Sequence, residues 1–378
     1  MDVAVVTSLS SVVESEWNAL VDGGDPFTQY GFLRLLETSG SVGPKTGWMP
    51  CHLLVRRGQE LVGAMPLYLK QHSYGEFIFD FGWADAAHRA GLAYYPKLVC
   101  AVPFTPASGR RLLVREGQDR RLISATLVEA ARALLIELSA SSLHVLFCHA
   151  EEAEFLAEYG LYSRRSIQFH FSPDEAMRTF ADYAACLRHS ARKQVRRERQ
   201  QAQGYGLALS MRAFEELTAV DVEAMWQFYN ATIDQHGSSA YLTREFFLGL
   251  SGNAQAYAAM AHDGGEPVAG ALFFASERAL YGRYWGTTRE LPMLHFELCY
   301  YLPIEWGLLR GIRHFEAGAQ GEHKIKRGFL PATCYSAHCA AHPGLDRAIG
   351  EFVRNEAAYL AGDMQVLAEH TPFKRGEG

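Results

Sequence analysis

Two similar stretches, GQELVGAMPLY at residues 58–68 and GGEPVAGALFF at residues 264–274, decide the fold of this chain. Each stretch follows an apolar run that is typical of a β-strand. Gly58 and Gly264 lie where a hairpin turn needs a permissive backbone. The stretches are 206 residues apart, and we therefore predict that they are equivalent hairpins of a duplicated chain.

The same order of elements recurs after each hairpin. A further strand is followed by a long helix with an apolar stripe, by a short strand and by a final strand. In the first half the further strand is RRLLV, the long helix covers about 121–138, the short strand is HVLFCHA (144–150) and the final strand is 162–171. In the second half the further strand is 279–286, the long helix covers about 293–310, the short strand is RHFEAGA (313–319) and the final strand is 334–341.

This order predicts a mixed α/β fold of two tandem domains. The predicted domains are 1–172 and 173–378, and the first carries an insertion near 70–109. The insertion is rich in aromatic residues and is interpreted as a wall or lid of a substrate cleft, with extra strands that cover a sheet edge as the alternative. Chance similarity between the two hairpins is the alternative to the duplication.

The composition fits a globular protein of a reducing compartment. A net charge of −6 over 378 residues disfavours a surface that coats nucleic acid as a whole, but it allows a local basic patch. The seven cysteines show no CxxC spacing. The N-terminus lacks a basic signal sequence, and no apolar run reaches the ~18 residues of a membrane helix. We therefore expect a cytoplasmic protein without a transmembrane segment.

Several longer blocks resemble a known family. They are YYPKL (94–98), PFTP (103–106), SARKQVRRER (190–199), GRYWG (282–286), LHFELCYY (294–301) and FEAGAQGEHKIKRGF (315–329). These blocks resemble the FemAB-like N-acyltransferases of the GNAT superfamily, in the family named for peptidoglycan biosynthesis or recognition. The resemblance implies two GNAT-like acyltransferase domains and transfer of an acyl or aminoacyl group to an amine. It further implies an amine acceptor on a nucleotide-linked or lipid-linked cell-wall precursor.

Acyl transfer to an amine requires a proton acceptor and a group that stabilises the oxyanion. In the predicted repeat, Glu316 replaces Phe147 and His314 replaces Val145. A carboxylate in a central strand is costly unless it has a partner or a task. Glu316 is therefore predicted to be the base or the anchor of the amine, with a structural ion pair as the alternative.

Two histidines are further catalytic candidates. His323 is a proton acceptor candidate within the polar segment GAQGEHKIKRGF. His295 precedes Cys299 by four residues on the long helix and suggests a nucleophilic pair, with a capping or core histidine as the alternative.

The predicted substrate-binding residues lie in three segments. They are Asp80, Trp83, Tyr94, Tyr95 and Lys97 of the insertion, Tyr284 and Trp285 of the strand GRYWG, and Glu322, Lys324 and Arg327 of the polar segment. Tyr284 and Trp285 alternate on a strand and are expected to face opposite sides. Lys324 and Arg327 are expected to hold a phosphate or a carboxylate. A solvated turn with Glu322–Lys326 and His323–Arg327 pairs is the alternative.

A basic helix, 183–203, is predicted between the two domains. Its cationic residues suit tRNA phosphates, a nucleotide pyrophosphate or an anionic membrane, and a merely solvated helix is the alternative. The predicted phosphate-binding residues are Arg188, Arg192, Lys193, Arg196, Arg197 and Arg199.

The acyl donor is either aminoacyl-tRNA or acyl-CoA. Ordinary GNAT enzymes hold the coenzyme A pyrophosphate with an Arg/Gln-x-x-Gly-x-Gly/Ala loop, and neither REGQDR (115–120) nor TTRELPM (287–293) matches it. An ordinary acyl-CoA-dependent N-acetyltransferase and a non-catalytic binding module remain as alternatives. No metal is expected, because Cys334 and His342 would be ~26 Å apart on the predicted strand.

Overall fold

The computed structural model describes residues 1–235, 237, 239–318 and 321–374. The strands are β1 (Asp2–Val6), β2 (Trp48–Pro50), β3 (His52–Arg57), β4 (Glu60–Met65), β5 (Leu67–Lys70), β6 (Lys97–Cys100), β7 (Leu113–Val114), β8 (Ser142–Cys148), β9 (Tyr162–Phe171), β10 (Ala208–Ala213), β11 (Ala256–Asp263), β12 (Glu266–Ala275), β13 (Ala279–Thr287), β14 (His314–Glu316) and β15 (Leu330–Ala340).

The helices are α1 (Glu14–Asn18), α2 (Tyr30–Thr38), α3 (Phe81–Arg89), α4 (Arg120–Glu137), α5 (Ala150–Glu158), α6 (Phe180–Cys186), α7 (His189–Gln203), α8 (Ala219–Gln235), α9 (Arg244–Gly249), α10 (Leu294–Phe296), α11 (Leu302–Leu309) and α12 (Pro343–Glu369). A π-helical segment, Glu297–Tyr301, joins α10 to α11. Short 3-10 helices occur at Leu9–Ser11, Pro44–Thr46, Phe214–Glu216, Leu250–Gly252 and Glu322–Arg327.

The chain forms two compact units. Unit 1 consists of Met1–Ile167 and Thr333–Asp363, and unit 2 consists of Gln168–Ala332 and Met364–Gly378. Each unit therefore includes residues from both predicted domains, 1–172 and 173–378, whose bounds stay a prediction about the repeat.

Unit 1 contains a sheet with the strand order β1-β3-β4-β7 and a second run of strands with the order β15-β8-β6-β5-β2. Pro66 separates β4 from β5, because proline cannot donate a ladder hydrogen bond. Helix α4 begins after Asp119, whose side chain accepts a hydrogen bond from the backbone N–H of Leu122. Its apolar face, including Ile123 and Leu127, packs in a core with residues of β3, β4 and β8.

Unit 2 has the strand order β10-β11-β12-β13-β14-β9. The β13–β14 pair is parallel and the other pairs are antiparallel. Helix α8 packs closely on β12 and β13. At Gly286 of β13, a Cβ atom would lie 2.0 Å from the carbonyl oxygen of Phe228, so this contact between helix and strand requires glycine.

The two repeats exchange their last strands. Each last strand pairs with a strand of the other repeat, in the unit to which that strand belongs. In unit 2, β9 of the first repeat pairs with β14, so that His170 lies opposite Glu316. In unit 1, β15 of the second repeat pairs with β8, so that His338 lies opposite His144.

The strand registers correct the predicted equivalence of Glu316. In unit 1, Tyr68 lies opposite Val99, Val99 lies opposite His144, and His144 lies opposite His338 on successive strands. In unit 2, Phe274 lies opposite Tyr281, Tyr281 lies opposite Glu316, and Glu316 lies opposite His170 on successive strands. Tyr68 and Phe274 are equivalent in the sequence repeat, so Glu316 corresponds to His144. The predicted equivalence with Phe147 was wrong by three residues, because the end of α4 (Glu137) and the start of β8 (Ser142) match the end of α11 (Leu309) and the start of β14 (His314) at an offset of 172, not 169.

The predicted connector helix 183–203 is also corrected, because it is two helices, α6 and α7. Leu187 between them is fully buried and extended, and it forms an isolated antiparallel β-bridge with Phe373. An apolar i, i+4 stripe runs through this break, which explains why the periodicity indicated one helix.

Candidate active site

The parallel strands β13 and β14 diverge and leave a gap in unit 2. They pair only from Ala279–His314 to Tyr281–Glu316, after which β13 continues along β12 and β14 ends. Ligands of α/β sheets bind beyond the carboxyl ends of such diverging strands. A cavity of about 100 Å³ occupies the gap, and the residues that line it include Arg283, Tyr284, Trp285, His295, Cys299, Tyr300 and Ala317.

The equivalent gap in unit 1 is closed by the chain itself. Beyond the β6–β8 pairing, the backbone N–H of Gly109 donates to the carbonyl of Phe147. Nε of the fully buried Arg111 donates to the carbonyl of Leu146 at 2.8 Å. The segment after β6 therefore occupies the space that remains open in unit 2, and unit 2 is the better candidate for the active site.

The two aromatic residues of GRYWG contact different helices. The ring of Tyr284 packs edge-on against Tyr229 of α8, with centroids 4.9 Å apart. The ring of Trp285 packs against His295 at 5.1 Å. Both residues line the cavity.

The π-helical segment brings three residues of one helical run to the cavity: His295, Cys299 and Tyr300. Burial, with His323, Arg327 and Lys324 nearby, lowers the pKa of His295 to about 4, so its imidazole is neutral at pH 7. Burial raises the pKa of the Cys299 thiol. The thiol is therefore protonated at neutral pH, which disfavours the nucleophilic pair considered for His295 and Cys299.

The 3-10 helix Glu322–Arg327 places a buried lysine beside the cavity. Nζ of Lys324 donates to the carbonyl of Gly318 at 2.8 Å, and burial lowers the pKa of Lys324 to about 8. Lys324 also interacts electrostatically with Cys299, which lines the cavity. His323 is exposed, and its Nε2 lies 3.0 Å from the hydroxyl of Tyr300. The side chain of Glu322 lies outside the described part of the chain.

Arg327 is buried and holds the 3-10 helix in place. Its guanidinium donates to Glu198 of α7 at 2.8 Å and lies 3.4 Å from the ring centroid of Phe296. It also donates to the backbone carbonyl of His323, so the contact between these two residues, which the solvated-turn alternative placed between side chains, is a side chain–backbone bond. Tyr301 donates to the same Glu198 carboxylate.

Glu316 ends β14 directly before Ala317, which lines the cavity. Its side chain is buried. Oε1 lies 2.9 Å from Nε2 of His314 and 4.0 Å from Nε2 of His170. The side chain of His314 is 36% exposed and connects this buried carboxylate to solvent. Arg283 also interacts electrostatically with Glu316.

The predicted substrate residues of the insertion are gathered in unit 1, and none of them is among the residues that line the cavity of unit 2. Lys97 is fully buried and donates to Glu76 at 2.8 Å and to Asp80, which also accepts a hydrogen bond from Tyr94. Tyr95 is half-buried and is bonded to Ser73, and Trp83 is buried against His338. Their predicted role in binding a substrate stays a prediction.

Sequence reasoning missed the groups that complete this cluster. Burial lowers the pKa of Lys70 to about 7 and raises that of Glu76 to about 7. His144 and His338 are fully buried, with their Nδ1 atoms 2.7 Å apart. The signal available for Lys70 was a lysine at an inward position of an apolar strand, LYLK (67–70).

The predicted basic residues of α7 and Arg188, which directly precedes it, divide into two groups. Arg199 pairs with Glu297 and Glu305, while Arg188 and Arg192 donate to backbone carbonyls of unit 2. By contrast, Lys193, Arg196 and Arg197 are exposed and form no ion pair with the residues that the structure describes. These three residues are the free cationic face of α7.

No helix within the described ranges is long and apolar enough to cross a membrane. The sequence matches the profile of the FemAB-like family, described as peptidoglycan biosynthesis/recognition, over residues 8–375. The chain belongs to the FemAB-like family. No curated protein matches it in sequence.

Solved structures confirm the predicted fold of this FemAB-like protein, two tandem GNAT-like acyltransferase domains in a mixed α/β architecture. FemX is similar at a TM-score of 0.55 and 11% identity, over 93% of this chain and 100% of FemX. The C-terminal domain of a putative lysylphosphatidylglycerol synthetase from Agrobacterium fabrum is similar at a TM-score of 0.55 and 9% identity, over 90% of this chain and 95% of that domain. L-PGS from Bacillus licheniformis is similar at a TM-score of 0.51 and 11% identity, over 84% of this chain and 95% of L-PGS. At these identities, the similarity concerns the fold.

Proposed function

We propose that this FemAB-like protein transfers an acyl or aminoacyl group from an activated donor to an amine. The observation that carries the proposal is the open gap between β13 and β14: the buried Glu316 directly precedes Ala317, which lines the cavity, and the buried Lys324 interacts electrostatically with Cys299, which also lines it. The equivalent gap of unit 1 is filled by Arg111 and its neighbours. A carboxylate and a lysine near this gap suit a reaction that takes a proton from an amine and stabilises developing negative charge.

Each charged group has a role in this reaction. Glu316 binds the amine and accepts its proton, and His314 connects the carboxylate to solvent. Lys324 stabilises negative charge on the donor or on the oxyanion, because a cation in a water-poor cavity interacts more strongly than one in water. Trp285 and Tyr284 provide the apolar walls against which the acyl chain packs.

The acceptor is proposed to be an amine of a cell-wall precursor, nucleotide-linked or lipid-linked. The family description, peptidoglycan biosynthesis/recognition, supports this class of acceptor. One similar structure is named for a phospholipid that carries a lysyl group, which supports aminoacyl transfer. The seven cysteines are free thiols, in keeping with a cytoplasmic location.

The donor is proposed to be an aminoacyl-tRNA. The free cationic face of α7 offers Lys193, Arg196 and Arg197 to phosphates. The loop before α10 lacks the glycines with which GNAT enzymes hold the coenzyme A pyrophosphate. An acyl-CoA donor is the second candidate, because the cavity lies in the strand gap that such enzymes share.

The test is a transfer assay with aminoacyl-tRNA or acetyl-CoA as donor and a nucleotide-linked muramyl peptide as acceptor. Glu316→Gln keeps the shape of the side chain and is expected to reduce turnover at least ~100-fold. Glu277→Gln, an exposed residue of unit 2, is the matched control and should retain wild-type turnover. Full turnover in Glu316→Gln would assign Glu316 a structural role. Binding of donor and acceptor without turnover in the wild type would favour the binding module.

A further inference from the structure

We propose that unit 2 contains a Zn²⁺ site formed by His170, His314 and Glu316. One ligand atom of each residue, an imidazole nitrogen or a carboxylate oxygen, lies within 4.8 Å of the other two. This proposal shares Glu316 with the proposed function, but ion binding is measured without any substrate.

The separations of the ligand atoms suit a zinc ion. Oε1 of Glu316 is 2.9 Å from Nε2 of His314 and 4.0 Å from Nε2 of His170. Ligands at ~2.0–2.2 Å from a tetrahedral zinc ion are about 3.4 Å apart. These two separations bracket this value and the third, between His170 and His314, is at most 4.8 Å, so side-chain rotations bring the three atoms around one point. Three protein ligands leave a fourth position open, as in zinc sites that also bind water.

The backbone fixes the three ligands in place. His170 of β9 lies directly opposite Glu316 of β14, and His314 lies two residues before Glu316 on the same side of that strand. The amide oxygen of Gln168 is 3.2 Å from Nε2 of His170, which adds another oxygen beside the three ligands. A site on paired strands is more precisely positioned than a site on loops.

The ion has an entry path and a chemical preference. The His314 side chain is 36% exposed, while those of Glu316 and His170 are nearly buried, so the ion enters from the His314 side. Two imidazoles and one carboxylate favour Zn²⁺ over Mg²⁺ and Ca²⁺, which prefer oxygen ligands. The positive charges of Arg283 and Lys324 lie close enough to interact with Glu316 and His170, respectively. These positive charges repel a cation and therefore weaken zinc binding.

Unit 1 provides an internal comparison. At the equivalent position, His144 and His338 are bonded to each other through Nδ1 at 2.7 Å. Their Nε2 atoms are bonded to Ser142 and Ser336. All four ring nitrogens are therefore occupied in a buried environment, and one zinc ion per chain is the expected stoichiometry.

The experiment is calorimetric titration of the untagged, chelator-treated full-length protein with ZnCl₂, and with MgCl₂ as the ion control. We expect saturable zinc binding at one ion per chain and no magnesium binding. His314→Ala and His170→Ala should each weaken zinc binding at least ~10-fold. His189→Ala, an exposed histidine on α7, is the matched control and should bind as the wild type does.

Circular dichroism on each variant separates loss of a ligand from loss of the fold, and His314 is exposed enough for its removal to leave the strands intact. The absence of saturable zinc binding, or equal affinity in the wild type and His314→Ala, would overturn the proposal. Because zinc and the amine both need Glu316, zinc should inhibit the transfer reaction in competition with the amine. Failure of the transfer assay leaves the binding result unchanged, so the two proposals fail separately.

Discussion

Lys324 and Lys97 are both buried lysines, but their surroundings differ. Burial lowers the pKa of Lys324 to about 8, and its hydrogen bond to a carbonyl supplies no opposite charge. For Lys97, burial would also lower the pKa, but Glu76 and Asp80 outweigh that effect and raise it. The ion pairs of Lys97 are therefore part of the fold, whereas the charge of Lys324 is available to a ligand.

The first prediction concerns Lys324→Met. The folded-state pKa lies below that of an unfolded lysine, so the buried charge destabilises the fold below pH 8. This cost is relieved as the pH rises from about 8 towards the ordinary value of 10.5. We expect the variant to be more stable than the wild type by about 2 kcal/mol at pH 7, and this difference should shrink by pH 10. Urea unfolding at both pH values measures it.

The same variant should lose transfer activity, because the cation beside the cavity is gone. Lys326→Met, an exposed lysine of the same 3-10 helix, is the control and should change neither property. A variant that is less stable at pH 7 and equally active would show that Lys324 serves the fold alone.

The second prediction concerns Lys97→Met in unit 1. Removing this lysine leaves the carboxylates of Glu76 and Asp80 buried with Lys70 as the remaining cation of the cluster. Breaking a buried ion pair from one side costs about 3–5 kcal/mol. We expect the free energy of unfolding to fall by that amount, as measured by urea titration. Lys45→Met, a lysine outside the cluster, is the control, and an unchanged midpoint in Lys97→Met would contradict the argument.

Among the elements, those defined by local periodicity were predicted well. Helix α4 was predicted at about 121–138 and spans Arg120–Glu137. The helix predicted at 293–310 is present but contains the π-helical segment, which the apolar pattern does not reveal. The break between α6 and α7 depends on a bridge from Leu187 to Phe373, and a partner so distant in sequence leaves no local pattern.

The candidate site was predictable only in part for the same reason. Glu316 was identified because a carboxylate on an otherwise apolar strand is unusual. Its neighbour His170 was missed, because β9 and β14 are far apart in sequence and pair only in the folded unit. The open gap itself depends on where β13 and β14 stop pairing, and this register is set by tertiary contacts.

The third prediction concerns the free cationic face of α7. Arg192 donates to the carbonyls of Ala185 and Leu187, so its reversal would disturb the break between the helices. Arg196→Glu combined with Arg197→Glu avoids this effect. We expect the double variant to weaken tRNA binding and to flatten its salt dependence by very roughly 0.7 to 0.9 per lost phosphate contact. Thermal stability should change little, because both side chains are exposed.

The measurement is a salt titration of tRNA binding beside a titration with acetyl-CoA. Glu215→Lys and Glu216→Lys add charge elsewhere in unit 2 and serve as the control pair. Saturable acetyl-CoA binding without salt-dependent tRNA binding would reject the tRNA donor and favour the acyl-CoA alternative.

At the scale of the whole molecule, the bounds of the two sequence repeats differ from the bounds of the two compact units. Unit 1 needs residues 333–363 from the end of the chain, because β15 pairs with β8. The same segment supplies Leu345, Ile349 and Val353 of α12, which form a core with Trp83, Ala87 and Tyr94. A tandem repeat whose final strands are exchanged therefore folds as units that each require distant parts of the sequence.

The last prediction follows from this exchange. A fragment of residues 1–172, the predicted first domain, leaves the β8 edge unpaired and exposes Trp83, Ala87 and Tyr94, which α12 buries in unit 1. Each fully buried large apolar side chain contributes about 1.5–3 kcal/mol, so the loss is comparable to the total stability of a domain. We expect the fragment alone to aggregate or to lack a cooperative thermal transition. Coexpression with a second chain of residues 333–363 should restore a soluble complex with a cooperative transition and near-ultraviolet circular dichroism. Coexpression with a 333–363 chain that carries Ile349→Asp is the control, because the aspartate cannot enter the core. A cooperative, monomeric 1–172 fragment would show that the first repeat folds without the exchanged strand.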